Sequence, residues 1–463
     1  MIADDTIAAI ATPPGVAAIA IVRISGPDAR AIRSACFHAR RDSHVSAGQL
    51  VRGSLREPDT GRSIDDALAV LFEAPRSYTG EDVVELHVHG GSGVVSAALA
   101  AVLRAGARLA QPGEFTRRAF LNGRMDLAQA ESVADLIAAQ TEASAKAAAV
   151  RLEGALGRSL RDMRTELMDR LVELEAHVDY PDEVPAPDAA QLARCVESQR
   201  LRIAALLAGS GAARVLRDGI DCVIAGPPNA GKSSLLNALV EAERVIVSEV
   251  PGTTRDVVEE RLAVDGVVLR LRDTAGLRAT RDAIEAEGVT RAREAIERAE
   301  LVILVIDGSS PLRDDERAAI AATAQAPRIV LCNKSDLGDL GLRELRASVP
   351  DAVAENASSA FIAGSVRSAD TIERIRAAIS RLGWGGAALD ANAALVANAR
   401  QIEALSRARA ALEHARATLE NGLPLDLLSG DFGDAVAAYG EVTGETVTDE
   451  VLDGIFSRFC VGK

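Results

Sequence analysis

The run Gly226-Pro227-Pro228-Asn229-Ala230-Gly231-Lys232-Ser233 follows an apolar stretch, Asp221 to Ala225, and precedes the helical sequence SLLNALV, with Ser234 at its first turn. Glycines at these positions let backbone N–H groups wrap a phosphate chain, Lys232 brings a point charge to the β and γ oxygens, and Ser233 offers a hydroxyl to Mg²⁺. Downstream, Thr253-Thr254-Arg255-Asp256 supplies Thr254 for the second Mg²⁺ position. Asp273-Thr274-Ala275-Gly276 closes another apolar strand with a water-mediated Mg²⁺ ligand and a pivoting glycine. Asn333-Lys334-Ser335-Asp336 follows the strand IVLCN, where Asp336 can accept hydrogen bonds from guanine N1–H and its exocyclic amine. Adenine has no such donor pair, so a pocket built for guanine rejects it. Ser359-Ala360 is read as the last base-contacting turn. Order and spacing fit a guanine-nucleotide switch.

Leucine, Leu277, stands after Gly276 where small signalling GTPases carry the glutamine that orients attacking water. Water must be activated otherwise. Two readings stand open for Asn229, coordination of a monovalent cation beside the phosphates or simple shaping of the turn. Glu285, in the acidic stretch after DTAGL, is either a water-positioning group or a solvated carboxylate. Lysine usage points to the same motifs: four lysines occur among 52 basic residues, and Lys232, Lys334 and Lys463 fall inside short motifs. A flexible ammonium is retained where a planar guanidinium cannot substitute.

These residues need a framework, and 463 residues suggest about three domains. Residues 1–120 mix β-type runs (Ala17 to Ile24, Ala67 to Phe72, Val83 to Val88) with a helical stretch, Val94 to Ala105, and read as an α+β domain. Helical periodicity runs from Asp126 to Val178, breaks at PDEVPAP, resumes from Ala189 to Ala208 and stops at Gly209-Ser210-Gly211. Residues 213–385 alternate strand and helix as an α/β domain, with strands at Asp221 to Ala225, Val267 to Arg272, Leu301 to Asp307 and Arg328 to Cys332. Helical sequence returns from Leu389 to Glu420. The fold class is therefore multidomain, with an all-α helical domain in two parts, 121–212 and 386–463, and an α/β P-loop GTPase domain inserted between them.

A formal net charge of -15 argues against a broad basic surface tracking nucleic acid. Residues 1–120 hold 13 basic and 13 acidic side chains, so the acidic excess lies downstream and RNA contact is expected to be local or shared with a partner. Cys36, Cys195, Cys222, Cys332 and Cys460 show neither disulfide nor zinc spacing. No run reaches the ~18 apolar residues of a membrane span, and a soluble, cytoplasmic protein is expected.

The tail FCVGK joins aromatic, thiol and cationic groups. Nearby cations would lower the Cys460 thiol, although a buried packing cysteine is the commoner case. Arg23, Glu85 and the His87/His89 pair likewise allow structural readings. With ATPPG, VRISGP around Arg23, SYTGEDVVELHVHGG, PGEFTRRAFLNGRMDLAQAE and IFSRFCVGK, the chain resembles the MnmE (TrmE) family of tRNA-modification GTPases throughout its length. The resemblance implies an N-terminal domain with the fold of one-carbon-transfer enzymes. That domain would form a homodimer and bind a reduced folate, 5,10-methylenetetrahydrofolate or a 5-formyltetrahydrofolate analogue, at Arg23, Glu85, Arg124 and Lys463. It places Cys460 near that folate and implicates it in the chemistry.

The resemblance also assigns K⁺ to Asn229, Ser248, Val250 and Thr253, and water orientation to Glu285. Glu249, Pro251 and Gly252 join the GTP-binding loop. Ser248 and Pro251 differ from the threonine and alanine common in relatives; backbone carbonyls supply most of the cation's ligands, so the site is expected to survive. The implied activity is potassium-activated GTP hydrolysis, coupled to addition of an aminomethyl or carboxymethylaminomethyl group at C5 of a tRNA wobble uridine. The implied partner is the FAD-binding MnmG, in a heterotetramer. A ribosome-assembly GTPase and a folate-dependent aminomethyltransferase acting on a metabolite are the rival classes.

Overall fold

The computed structural model describes residues 5–40, 46–242, 260–271, 294–386, 389–390 and 395–462. They fall into two compact units. One comprises Met1–Ala134, Arg151–Arg200 and Glu403–Lys463, and the other Asp135–Val150 and Leu201–Ile402.

In the first unit, β1 (Ile7–Ile10), β2 (Ala17–Ser25), β3 (Phe37–Ala39), β4 (Val51–Arg56), β5 (Ser63–Phe72), β6 (Val83–Gly90) and β7 (Arg108–Leu109) form a sheet in the order β3-β4-β5-β6-β2-β1-β7. All neighbours are antiparallel except β1 and β7. Helices Ala29–Cys36 and Ser92–Arg104 share a core with Ala20, Val22 and Ile24 of β2 and Val84, Leu86 and Val88 of β6. Because successive side chains of a strand alternate between faces, that burial sends Arg23 and Glu85 to the opposite face, directly paired in register.

The same unit contains long helices Ala155–Asp179 and Asp426–Thr443 and, from Glu403 onward, the helix Ala399–Glu420. Leu156, Leu160, Met163, Leu167, Leu171 and Leu174 recur every three or four residues and are all buried, the stripe that a packed amphipathic helix requires. Gln199, fully buried, donates to the Met163 carbonyl (3.1 Å) and accepts from Tyr439 Oη (3.1 Å). This hydrogen-bonded junction ties helices from both sides of the intervening α/β sequence into one register, since an unmade buried bond would be costly.

The second unit is built on β8 (Ile220–Ala225), β9 (Glu260–Val264), β10 (Val267–Leu271), β11 (Leu301–Asp307), β12 (Arg328–Asn333) and β13 (Ser359–Ala363), in the order β13-β12-β11-β8-β10-β9. All pairings are parallel except β9 with β10. β11 is buried along nearly its whole length and β12 throughout, the pattern of central strands covered on both faces. After β8 the chain moves to one side of the sheet, then returns to the other at β11. The carboxyl end of β8 thus lies at the topological switch point where such sheets bind ligands.

The helix Ala189–Ala208 ends at Gly209, as the sequence implied, but helical structure resumes at once. Gly209 keeps near-helical angles (φ -80, ψ -10), Ser210 Oγ donates to the Leu207 carbonyl, and a further helix, Ser210–Asp218, buries Ala213, Val215 and Leu216. Local glycine content loses here to tertiary burial. The stretch expected from Asp126 to Val178 is divided into Leu127–Ala138, Glu142–Leu152 and Ala155–Asp179, with Gly154 left-handed (φ 78) before the last.

Candidate functional site

β8 ends at Ala225, and the helix Lys232–Ala242 begins where the glycine-rich loop ends. Asn229 (φ 64) and Gly231 (φ 109) both take left-handed backbone angles. Gly231 has a second constraint, since a Cβ there would lie 2.2 Å from Asn333 Nδ2. Lys232 Nζ donates to the carbonyls of Gly226 (2.8 Å) and Pro227 (2.7 Å), and burial holds its pKa below the usual lysine value. Ser233 and Ser234 occupy the first, exposed turn of the helix, whose N-terminus favours an anion.

Asn333 is the hub of the base side. It is 1% exposed, donates Nδ2–H to the Ala230 carbonyl (2.9 Å) and accepts the Val366 N–H at Oδ1 (3.0 Å). One side chain therefore joins the phosphate loop to the loop after β13. Lys334 (φ 63) places Nζ 2.6 Å from Asp307 Oδ2. Burial opposes ionisation of Asp307, but hydrogen bonds from Lys334 and Ser309 prevail and hold its pKa below the ordinary carboxylate value. Asp336 stands exposed two residues beyond Lys334.

A second cluster forms in the first unit. Arg23 Nε donates to Glu85 Oε1 (3.0 Å), and its Nη1 reaches the Gly462 carbonyl at 3.5 Å. The guanidinium carbon lies 5.6 Å from the Tyr78 ring centroid and 5.8 Å from that of Phe115, within cation–π range. Tyr78 Oη meets Thr116 Oγ1 at 2.8 Å, and burial raises its pKa. The tail reaches this corner because Phe456 and Phe459, with ring centroids 5.4 Å apart, pack with Leu127 and Val133. Gly113 N–H donates to the Cys460 carbonyl, and the Cys460 side chain is exposed.

Residues 6–124 match the family model "GTP-binding protein TrmE N-terminus", and residues 127–460 match "MnmE helical domain". A tRNA modification GTPase MnmE of Heliobacterium modesticaldum is 45% identical over 99% of this chain and 99% of its own length. Its counterpart in Geobacter sulfurreducens is 44% identical over the whole of both. The chain belongs to the MnmE family of tRNA modification GTPases. In this MnmE family member, Asn333 joins the phosphate loop to the Asn333–Asp336 loop through its bond to the Ala230 carbonyl. The G domain of the T. maritima FeoB iron transporter is 22% identical over 35% of this chain and 98% of that one, with a TM-score of 0.26.

Several expected site residues of this MnmE family member, Ser248, Glu249, Val250, Pro251, Gly252, Thr253, Thr254, Asp273, Thr274, Ala275, Gly276, Glu285 and Lys463, lie outside the described residues. Ser359 and Ala360 are not in a turn. They open β13 and pair with Arg328 and Ile329 at the start of β12. The loop that meets Asn333 is Gly364–Val366: Ser335 N–H donates to the Gly364 carbonyl and Gly364 N–H to the Cys332 carbonyl. The strand-like spelling SAFIA carried the signal, because a parallel sheet presents ligands at the carboxyl ends of its strands. Arg124 is exposed, and its Cγ would be 3.2 Å from a Cβ on Gly80, in the loop that also carries Tyr78. Neither Tyr78 nor Phe115 was singled out from sequence, where an aromatic within SYTGED and EFTRR reads equally well as core. Among the described residues no helix is long and apolar enough to cross a membrane, and no group of three or more His, Cys, Asp or Glu side chains could hold a metal ion.

Proposed function

We propose that this protein uses potassium-activated GTP hydrolysis to control addition of an aminomethyl or carboxymethylaminomethyl group at C5 of a tRNA wobble uridine. It works with the FAD-binding partner MnmG, as a homodimer within a heterotetramer in the cytoplasm. Lys232 exchanges its carbonyl partners for phosphate oxygens, and Asp336 reads the guanine edge. Ser233, first in the helix after the lysine, has the reach to hold Mg²⁺ together with Thr254. Asn229, held left-handed in the loop, fits a K⁺ ligand alongside Ser248, Val250 and Thr253, while Glu285 orients water. The base-flanking turn is Gly364–Val366.

Residues 1–120 form the folate-binding and dimerising domain, and 213–385 the GTPase inserted between helical parts 121–212 and 386–463. Arg23, Glu85, Arg124 and Lys463 hold the reduced folate, and the residues present fit such a group. The Glu85 carboxylate and Arg23 guanidinium are able to hydrogen-bond to a planar heterocycle, and the partly buried Tyr78 ring lies beside them, with the fully buried Phe115 behind. When bound, the folate supplies the one-carbon unit. The observation supporting this reading most directly is the arrival of Gly462 at Arg23, which brings the Cys460 tail and the Arg23–Glu85 pair to one corner.

The test is mass spectrometry of nucleosides from total tRNA of cells lacking the protein, with and without its restoration. Loss and rescue of aminomethyl-type wobble uridines is the expected result. Unchanged nucleosides would overturn the reading.

A further inference from the structure

Val264-Asp265-Gly266-Val267 turns β9 into β10, with Asp265 (φ 49) and Gly266 (φ 82) both left-handed, as a tight two-residue hairpin demands. In sequence, β9 directly follows the segment carrying Thr253 and Thr254, and β10 runs directly into the one carrying Asp273 to Gly276. The hairpin therefore joins the two stretches expected to respond to the nucleotide. Five residue pairs zip β9 to β10, and β10 is zipped in parallel to β8, the strand that leads into the phosphate loop. These pairings make β9 and β10 a ribbon roughly 16 Å long, held to the sheet through β8.

The free end of that ribbon is attached. Thr141 Oγ1 donates to the Gly266 carbonyl at 2.7 Å. The same oxygen accepts the Ser144 N–H (3.1 Å), so Thr141 is the N-cap of helix Glu142–Leu152, with Ser144 Oγ returning the favour to the Thr141 N–H (3.1 Å). One hydroxyl thus caps the helix and grips the turn. Contact is tight, since a Cβ on Gly266 would stand 3.0 Å from that of Ala143. One turn along, Ala147 packs with Ala213 and Leu216. The helix continues through Arg151 and Leu152, so the chain leads straight from the grip into the helical sequence.

We propose that Thr141, hydrogen-bonded to the Asp265–Gly266 turn, is the positioning residue that passes the nucleotide state of the GTPase to helix Glu142–Leu152. The link rests on the reading, above, that GTP hydrolysis controls the modification chemistry. Thr141 contributes nothing to hydrolysis itself.

Hydrogen–deuterium exchange on the full chain, with GDP and with a non-hydrolysable GTP analogue, tests the link in wild type, Thr141→Val and Thr141→Ser. In wild type and Thr141→Ser, exchange over residues 142–152 is expected to differ about threefold or more between the two nucleotides. In Thr141→Val that difference collapses, while the response of peptides spanning the phosphate loop persists and GTP hydrolysis stays within about twofold of wild type. A cap serving packing alone would fray the helix equally in both nucleotide states and leave the difference intact, which would overturn the proposal. So would a wild-type helix indifferent to nucleotide while the phosphate loop responds. A phosphate loop that ignores both nucleotides would instead overturn the GTP-driven reading, and the link with it.

Discussion

The nucleotide site and the Arg23 corner are assembled in opposite ways. Most groups of the first come from short contiguous motifs, each placed by the strand it follows, and the long-range bonds of Asn333 merely join loops whose identities are local. The second is drawn from β2, β6, the loop carrying Tyr78, the helix Glu114–Leu121 and the last residues of the chain, 439 positions from Arg23. A contiguous site is announced by spacing, whereas a dispersed one exists only once sheet register and tail docking are complete. The first should therefore tolerate damage at the second, and the two should fail separately.

The sharpest way to break that contrast is Lys232→Ala. It is expected to cut GTP hydrolysis by more than about 100-fold, as loss of a phosphate-stabilising charge does, while leaving the Arg23 corner able to bind a reduced folate in calorimetry. Next in size, Asp336→Asn should weaken GTP relative to XTP by about 100-fold or more in competition binding. A carboxylate that accepts from guanine becomes an amide whose N–H matches the xanthine carbonyl.

Asp307→Asn probes the brace behind the base loop. The Asp307 carboxyl is held below its usual pKa, so its stabilisation is complete above the unfolded carboxylate value of about 4 and disappears as pH falls through the lower folded value. The substitution should cost about 1 kcal/mol at pH 7 and less at pH 3, read as thermal unfolding at the two pH values. Smallest in consequence is the thiol count. Cys460 is exposed, while Cys36, Cys195, Cys222 and Cys332 are buried, with burial raising Cys36, Cys195 and Cys332 to about 11. A neutral-pH disulfide reagent should titrate one thiol in the native chain and five after denaturation.

The same contrast explains what could be read before folding. Strands Leu301–Asp307 and Ala189–Ala208 as helix were legible to the residue, because apolar runs and helical periodicity are local properties. Ser359-Ala360 misled because a base-capping turn is recognised by its place at a strand's carboxyl end, and that place depends on register with β12. Helix Ser210–Asp218 was hidden by glycines whose local preference is overridden by burial of Ala213 and Leu216. The Asp265-Gly266 hairpin signal was present in the sequence, but its bond to Thr141 spans 125 positions and no spacing rule reaches it. Arg23 and Glu85 gave no local sign of pairing; only the β2–β6 register aligns them.

Arg23→Ala, assayed in parallel for GTP hydrolysis by the pure protein and for wobble-uridine content of tRNA in complemented cells, tests the separation of the two sites most directly. Hydrolysis is expected to stay within about twofold of wild type while the aminomethyl-type uridines disappear, since the removed cation belongs to the dispersed corner alone. Undiminished modification, or a matching fall in hydrolysis, would contradict two separately built sites serving one modification.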